Sequence, residues 1–311
     1  MQEKIKEILD QIETVIVGKN EVMERILMAI LAGGHVLMED VPGVGKTTTA
    51  MTFARVLGLQ TRRVQFTSDT MPSDIIGFSV YDKDTGKLVY KPGAVMTNLL
   101  LADEINRTSS KTQSALLEVM EEQKVTVDGV THDVPQPFIV IATQNPIEQL
   151  GTYKLPEAQM DRFLIKTSIG YPGHDVSVDI LKQVDITDRA QTISPVLSGD
   201  DVMRLRQVAT EIYVDDAIRE YIVRLVEATR HNEKITVGSS MRGALALTRC
   251  ARIWAAADGR AYVVPDDVKD LAVAVLAHRI TLTPEATFDG ATPESLIAQV
   301  LEDVPSPTIG S

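Results

Sequence analysis

Cysteine is nearly missing from this chain. Cys250 stands alone, so no disulfide closes within the chain, which is expected of a reducing compartment. Positive charge is also in short supply: 31 Lys and Arg against 43 Asp and Glu leave a net charge of −12. Duplex DNA and RNA are therefore not the default partners, because phosphate binding needs clustered Lys and Arg. No apolar run approaches the ~20 residues that span a bilayer. The longest, near Leu271–Ala277, reads as a buried helix. Residues from Met1 to Glu13 are charged throughout and lack an apolar centre, so no signal peptide is expected there. The five histidines, at 35, 132, 174, 231 and 278, show no metal-ligand spacing with one another or with Cys250. These absences predict a cytoplasmic protein without membrane insertion. The length of 311 residues predicts ~2 domains.

The most informative stretch present is Val36 to Thr48, where an apolar strand enters Pro42-Gly43-Val44-Gly45-Lys46-Thr47-Thr48 and then a helix. That order builds a phosphate cradle: backbone N–H groups of Gly43, Val44, Gly45 and the helix start point at an anion. Lys46 reaches the outer phosphates, and the Thr47 hydroxyl can ligate Mg²⁺. Asp40 stands where the pattern G-x-x-x-x-G-K-[ST] has its first glycine. Asp accepts turns and left-handed backbone better than most residues, so the loop can still form.

Around this loop, apolar spacing predicts helices over residues 3–14 and from Asn20, as cap, to Leu31. Strands are predicted at His35–Glu39, Val64–Thr67, Asn98–Asp103, Phe138–Thr143 and Leu164–Ile169, with a helix from Thr47 to Leu57. Continuous apolar strands alternating with helices indicate a parallel sheet covered on both faces. Ser79–Lys91 and Lys124–Phe138 interrupt the alternation and read as hairpins, the second turning at Asp128-Gly129. After Tyr171-Pro172-Gly173 the strands are expected to stop. Helices are predicted over Val176–Val184, Asp200–Thr210, Asp215–Arg230, Ser240–Ala257 and Pro265–Leu276. The domain boundary is placed near residue 190, in the polar stretch Thr187–Gly199.

Carboxylates at the carboxyl end of a parallel strand lie where ligands bind, which draws attention to Asp103-Glu104. If their strand neighbours the loop strand, Asp103 faces the Mg²⁺ on Thr47, and Glu104 is placed to polarise a water. Alone, the pair reads equally as two solvated acids. Asn145, in Thr143-Gln144-Asn145-Pro146, could orient a water, or could simply start a turn. Arg162 and Arg242 could each bind phosphate bidentately, and each alone reads as a surface ion pair. Cys250 and Trp254 read as core.

Taken together and in this order, these segments resemble the AAA+ ATPases. More closely they resemble the MoxR family, in the helix-2-insert branch that includes magnesium-chelatase ATPase subunits. Five segments carry the likeness: Glu39–Thr47, Leu100–Arg107, Ala142–Pro146, Leu155–Phe163 and Ser240–Ala244. The resemblance implies a P-loop αβα core over residues 1–190 with two hairpin inserts, followed by a small all-α lid over 191–311. It implies ATP and Mg²⁺ as cofactors, with Gly43 to Thr48 cradling phosphate and Val17-Gly18 at the adenine. Lys46 and Thr47 become Walker A, Asp103 and Glu104 Walker B, and Asn145 sensor 1. Arg162 looks like an arginine finger acting on a neighbouring subunit, with Arg107 as its rival. Arg242 looks like sensor 2, reaching the γ-phosphate. The implied assembly is a homo-oligomer, typically a hexameric ring. The implied role is chaperone-like remodelling of a protein client, such as one with a von Willebrand factor A domain. A nucleotide-gated scaffold and a DNA motor are the rival functions; the charge of −12 disfavours the motor.

Overall fold

The computed structural model describes residues 1–146, 152–182 and 189–307. Two amphipathic helices open the chain. α1 (Gln2–Glu13) buries Ile5, Ile8 and Ile12; α2 (Asn20–Leu31) buries Met23, Ile26, Leu27 and Ile30. Asn20 does not cap α2. It is the first helical residue, Lys19 is the N-cap, and the Asn20 amide donates to Glu13 at 2.9 Å.

The core sheet then assembles from β1 (Val36–Glu39), α3 (Lys46–Val56), β2 (Thr61–Gln65), α4 (Pro72–Ile76), β3 (Gly77–Asp82), β4 (Lys87–Pro92) and β5 (Leu99–Asp103). It continues through α5 (Ser110–Glu122), β6 (Lys124–Val127), β7 (Val130–Asp133), β8 (Ile139–Gln144), α6 (Glu157–Met160) and β9 (Ile165–Thr167). Five strands form one sheet in the order β2-β5-β8-β1-β9, and every pairing is parallel. Alternate residues of a strand face opposite sides, and the two cores follow that rule. Val36, Met38, Leu99, Leu101, Ile139 and Ile141 join one cluster; Leu37, Leu100, Ala102, Val140 and Ala142 join the other.

Two expectations change here. β2 begins at Thr61 rather than Val64, because it is an edge strand whose outward residues Arg62 and Arg63 are exposed and give no apolar signal. β5 does not neighbour the loop strand β1, because β8 lies between them. Both hairpins form, β3 with β4 and β6 with β7. The second turns at Asp128 (φ 49°) and Gly129 (φ 79°), the double left-handed geometry of a type I′ turn. Tyr90 of the first hairpin stacks on His132 of the second, with ring centroids 4.0 Å apart.

The rest of the chain is helical: α7 (His174–Lys182), α8 (Gly199–Thr210), α9 (Asp216–His231), α10 (Met241–Ala257), α11 (Pro265–Leu276), α12 (Pro284–Phe288) and α13 (Pro293–Asp303). A short antiparallel ribbon, β10 (Ile235–Val237) with β11 (Thr281–Leu282), interrupts it; strands of two and three residues are too short to show a period. The expected end of α7 at residues 183–184, and residues 187–188 of the boundary stretch, lie outside the described residues. Among the described residues no helix is long and apolar enough to cross a membrane.

Candidate active site

Parallel strands put their carboxyl ends on one edge, and there Glu39 pairs in register with Gln144, and Ala102 with Ala142. The phosphate loop, Asp103-Glu104 and Asn145 therefore share that edge. Gly43 (φ 85°) and Gly45 (φ 91°) hold left-handed backbone, and a Cβ at either would meet nothing within 4 Å. The loop thus opens outward, with Gly45 as the N-cap of α3. Lys46 is buried at the first position of that helix, and its Nζ donates to the Asp40 carbonyl at 2.7 Å.

Asp40 is not in left-handed backbone, contrary to the reason the sequence offered for it. It is 4% exposed and serves as an acceptor. One carboxylate oxygen takes Ser168 Oγ at 2.6 Å and Gly170 N at 3.0 Å; the other takes Ile169 N at 2.7 Å. The next residue along, Tyr171, accepts from Lys19 Nζ through its carbonyl at 2.9 Å. Val17-Gly18 and the phosphate loop are thereby tied to one segment, 168–171. Gly18 has φ 71° and lies beside Val176 of α7.

Asp103 accepts from Thr143 Oγ at 2.6 Å and from Arg63 Nη2 at 2.7 Å. The Thr143 hydroxyl also accepts the Glu104 N–H at 2.9 Å, so one buried threonine positions both acids. Glu104 sits in left-handed backbone (φ 56°), which turns its side chain off the strand line. Its carboxylate holds Arg107 at 3.0 Å. The Asn145 carbonyl accepts from Asn106 Nδ2 at 3.2 Å. Arg63 carries no motif signal, and Thr143, though inside the Ala142–Pro146 segment, gives no sign of this contact; strand register brings both to Asp103.

The donors fit a metal-bound triphosphate. A hydroxyl at Thr47 and a carboxylate at Asp103 are the hard oxygen ligands that Mg²⁺ takes. Thr47 opens α3 beyond β1, and β8 lies between β1 and the β5 strand that ends at Asp103. Asp103 would hold the ion from the β5 side, and Thr47 from the loop side. The Asp103 oxygens keep lone pairs for that role.

Arg162 and Arg242 are elsewhere. Arg162 lies three residues before Ile165, which pairs with Val36 at the start of β1. It thus stands at the amino edge of the sheet, opposite the phosphate loop. Its Nε approaches Glu121 Oε2 at 3.2 Å. Arg242, in the first turn of α10, also contacts Glu121, through Nη2 and Oε1. The N-cap Ser240 fixes this turn: its Oγ accepts the Arg242 N–H at 3.1 Å and donates to Asp161 at 3.0 Å. Asp161 also pairs with Arg279 at 3.2 Å. Burial pulls the Arg279 guanidinium down to about 10, so it stays charged at neutral pH.

A parallel αβα core with a phosphate loop and strand-end acids, followed by a helical lid, defines an AAA+ ATPase fold. The model for the ATPase family associated with various cellular activities (AAA) matches residues 35–165, and an AAA lid domain model matches 227–300. The chain belongs to the MoxR family of these proteins. It is 43% identical to the chaperone MoxR1 of Mycobacterium tuberculosis over 97% of this chain and 82% of that one. It is 46% identical to the uncharacterized protein YeaC of Bacillus subtilis, over 96% of this chain and 93% of that one. The crystal structure of a candidate ATPase from Cytophaga hutchinsonii superposes with a TM-score of 0.91 at 38% identity, covering 99% of this chain and 96% of the other.

Proposed function

We propose that the chain hydrolyses ATP at the junction between two identical subunits, one supplying the phosphate loop and the next its arginines. The observation that carries this reading is the opposite placement of Lys46 and Arg162 across the sheet. Four residues of β1 at ~3.3 Å each, and the loop beyond, separate them. Arg162 cannot serve its own nucleotide, and Arg242 stands beside it. The cleft they line supports the same reading: guanidiniums of Arg162, Arg242, Arg249 and Arg279 face carboxylates of Glu121 and Asp161, and four minus two leaves an excess of positive charge. That suits a polyphosphate, in a protein that is otherwise strongly acidic.

In this reading Gly43, Val44, Gly45 and Thr48 cradle the phosphates, Lys46 binds their outer oxygens, and Val17-Gly18 contact the adenine. Thr47 and Asp103 hold Mg²⁺, which draws charge from the phosphates when bound. Glu104 takes the proton of the attacking water as its oxygen bonds to the γ-phosphorus and ADP leaves; Asn145 orients that water. Arg162 and Arg242 of the next subunit offset the charge on the transferring group. Arg107 is the weaker trans candidate, because it follows β5 at the carboxyl edge that carries its own phosphate loop, against Glu104. Core (1–190) and lid (191–311) form the working unit of a ring, hexameric on the family pattern, in the cytoplasm. Its task is to remodel a protein client, such as one with a von Willebrand factor A domain. The MoxR1 relative, named a chaperone, supports the client role.

Subunit mixing tests the junction. Glu104→Gln and Arg162→Ala should each bind nucleotide and hydrolyse poorly; losing a finger costs ~10³–10⁵ in turnover where one operates. Co-assembled, they should regain part of wild-type activity, because some junctions join an intact phosphate loop to an intact arginine. Mixed assemblies as inactive as their parents would reject action in trans.

A further inference from the structure

Glu121 lies in the last turn of α5, where the helix dipole disfavours a carboxylate. Helix preference therefore gives no reason for an acid there, whereas its contacts do. It lies against Arg162 of the core and Arg242 of the lid, through different oxygens: Oε2 faces the Nε of Arg162, and Oε1 faces Nη2 of Arg242. A guanidinium is a rigid fork with five donors. Arg162 is paired with Glu121 by charge from its Nε side, at 3.2 Å and without a hydrogen bond, and its two terminal nitrogens, which make no hydrogen bond among the described residues, remain for another anion. Arg242 spends one terminal nitrogen on Glu121 and keeps the other. Without Glu121 the two cations, one in the turn before β9 and one in α10, would repel each other across a half-exposed cleft.

We propose that Glu121 is a positioning residue for hydrolysis in trans: it clamps Arg162 and Arg242 side by side and aims their free nitrogens at the neighbouring subunit's γ-phosphate. This rests on the junction reading above. A misplacement of ~1 Å in a catalytic group costs up to ~10²-fold in rate, so Glu121→Ala should lower kcat by ~10–10²-fold. ATP affinity should not change, because the phosphate loop of the same chain is untouched. Glu121→Gln, of equal size, should fall between, since an amide oxygen still accepts one guanidinium but neutralises neither.

The deciding experiment measures kcat and ATP binding for Glu121→Ala alone, mixed with Glu104→Gln, and within Arg162→Ala/Arg242→Ala. Expected are a loss of kcat alone, recovery on mixing with Glu104→Gln, and no further loss in the double-arginine variant. A merely structural glutamate would add its loss to that variant and weaken nucleotide binding. Wild-type or raised kcat in Glu121→Ala, while Arg162→Ala is impaired and complemented by Glu104→Gln, would overturn the clamp and leave the junction intact. If Arg162→Ala is not complemented either, the junction reading fails, and the clamp with it.

Discussion

At position 40 a glycine would satisfy the phosphate-loop pattern and harm this protein. The Asp40 carboxylate accepts three hydrogen bonds from residues 168–170 while itself buried. Removing it strands the buried Ile169 N–H and unpairs the partly buried Gly170 N–H, while the exposed Ser168 hydroxyl turns to water; a buried donor left without a partner costs ~1–3 kcal/mol. Asp40→Gly should therefore lose roughly 3 kcal/mol, or about 6–12 °C in melting temperature for a domain of this size. It should also weaken ATP binding, because segment 168–171 ties the loop to Val17-Gly18. Differential scanning calorimetry with a nucleotide titration reads both effects; a melting temperature equal to wild type would remove Asp40 from this role. The contrast with the rest of the site is instructive. The placement of Lys46 and Thr47 at a helix start after a glycine loop, and of Asp103, Glu104 and Asn145 at strand ends, was legible because each belongs to a run of consecutive residues. Asp40's partners, Thr143 and Arg63 on Asp103, and Glu121 under the arginines were not. Those contacts join residues 40 or more positions apart, and no local pattern encodes them.

Among the elements, His35 is the joint of the core. At the entrance to β1, its Nδ1 accepts the Val140 N–H of β8 at 2.9 Å, and its Nε2 donates to the Met120 carbonyl of α5 at 3.1 Å. Burial pushes its pKa down to about 4, against 6.5 in the unfolded chain. Between those values the unfolded chain binds the extra proton, so stability drops as pH falls from 6.5 towards 4. His278, half-buried beside Arg279 and lowered by desolvation, acts in the same direction. His35 alone should remove roughly 2 kcal/mol between pH 7 and pH 5, at about 1.4 kcal/mol per pH unit. Urea unfolding at both pH values should show this, and His35→Gln, which can accept and donate without titrating, should flatten the dependence. An equal slope in both proteins would locate the sensitivity elsewhere. The elements themselves were legible in proportion to burial. β1, β5 and β8, apolar on both faces, were read to within a residue or so, and the Asp128-Gly129 turn was read from its two residues. The edge strand β2 was misplaced, and the ribbon β10–β11 and helices α4, α12 and α13 gave no signal. Short or half-exposed elements owe their form to neighbours rather than to their own period.

Across the whole molecule, one face carries both the arginine cleft and exposed apolar side chains. Met241 and Leu245, one turn apart on α10, are 58% and 57% exposed, and Arg242 and Arg249 flank them. Two large apolar residues on the open face of a helix beside an excess of positive charge fit the rim of a contact with another copy. That copy would present its phosphate loop, with the bound triphosphate meeting the guanidiniums. Association would then be tighter with ATP than without, since the anion offsets the local charge. Leu245 also lines the arginine cleft, so its effect on assembly is read from the concentration dependence and not from activity at a single concentration. Leu245→Asp puts a carboxylate where apolar contact is lost and a charge must be desolvated, a change worth ~1.4–3 kcal/mol per interface and hence at least about tenfold in subunit affinity. ATP hydrolysis per subunit should then rise with protein concentration along a curve displaced by that factor or more. Nucleotide binding per subunit should remain as in wild type. Sedimentation velocity with and without ATP, alongside the concentration series, measures both terms. Unchanged assembly in Leu245→Asp would move the subunit contact away from the exposed face of α10.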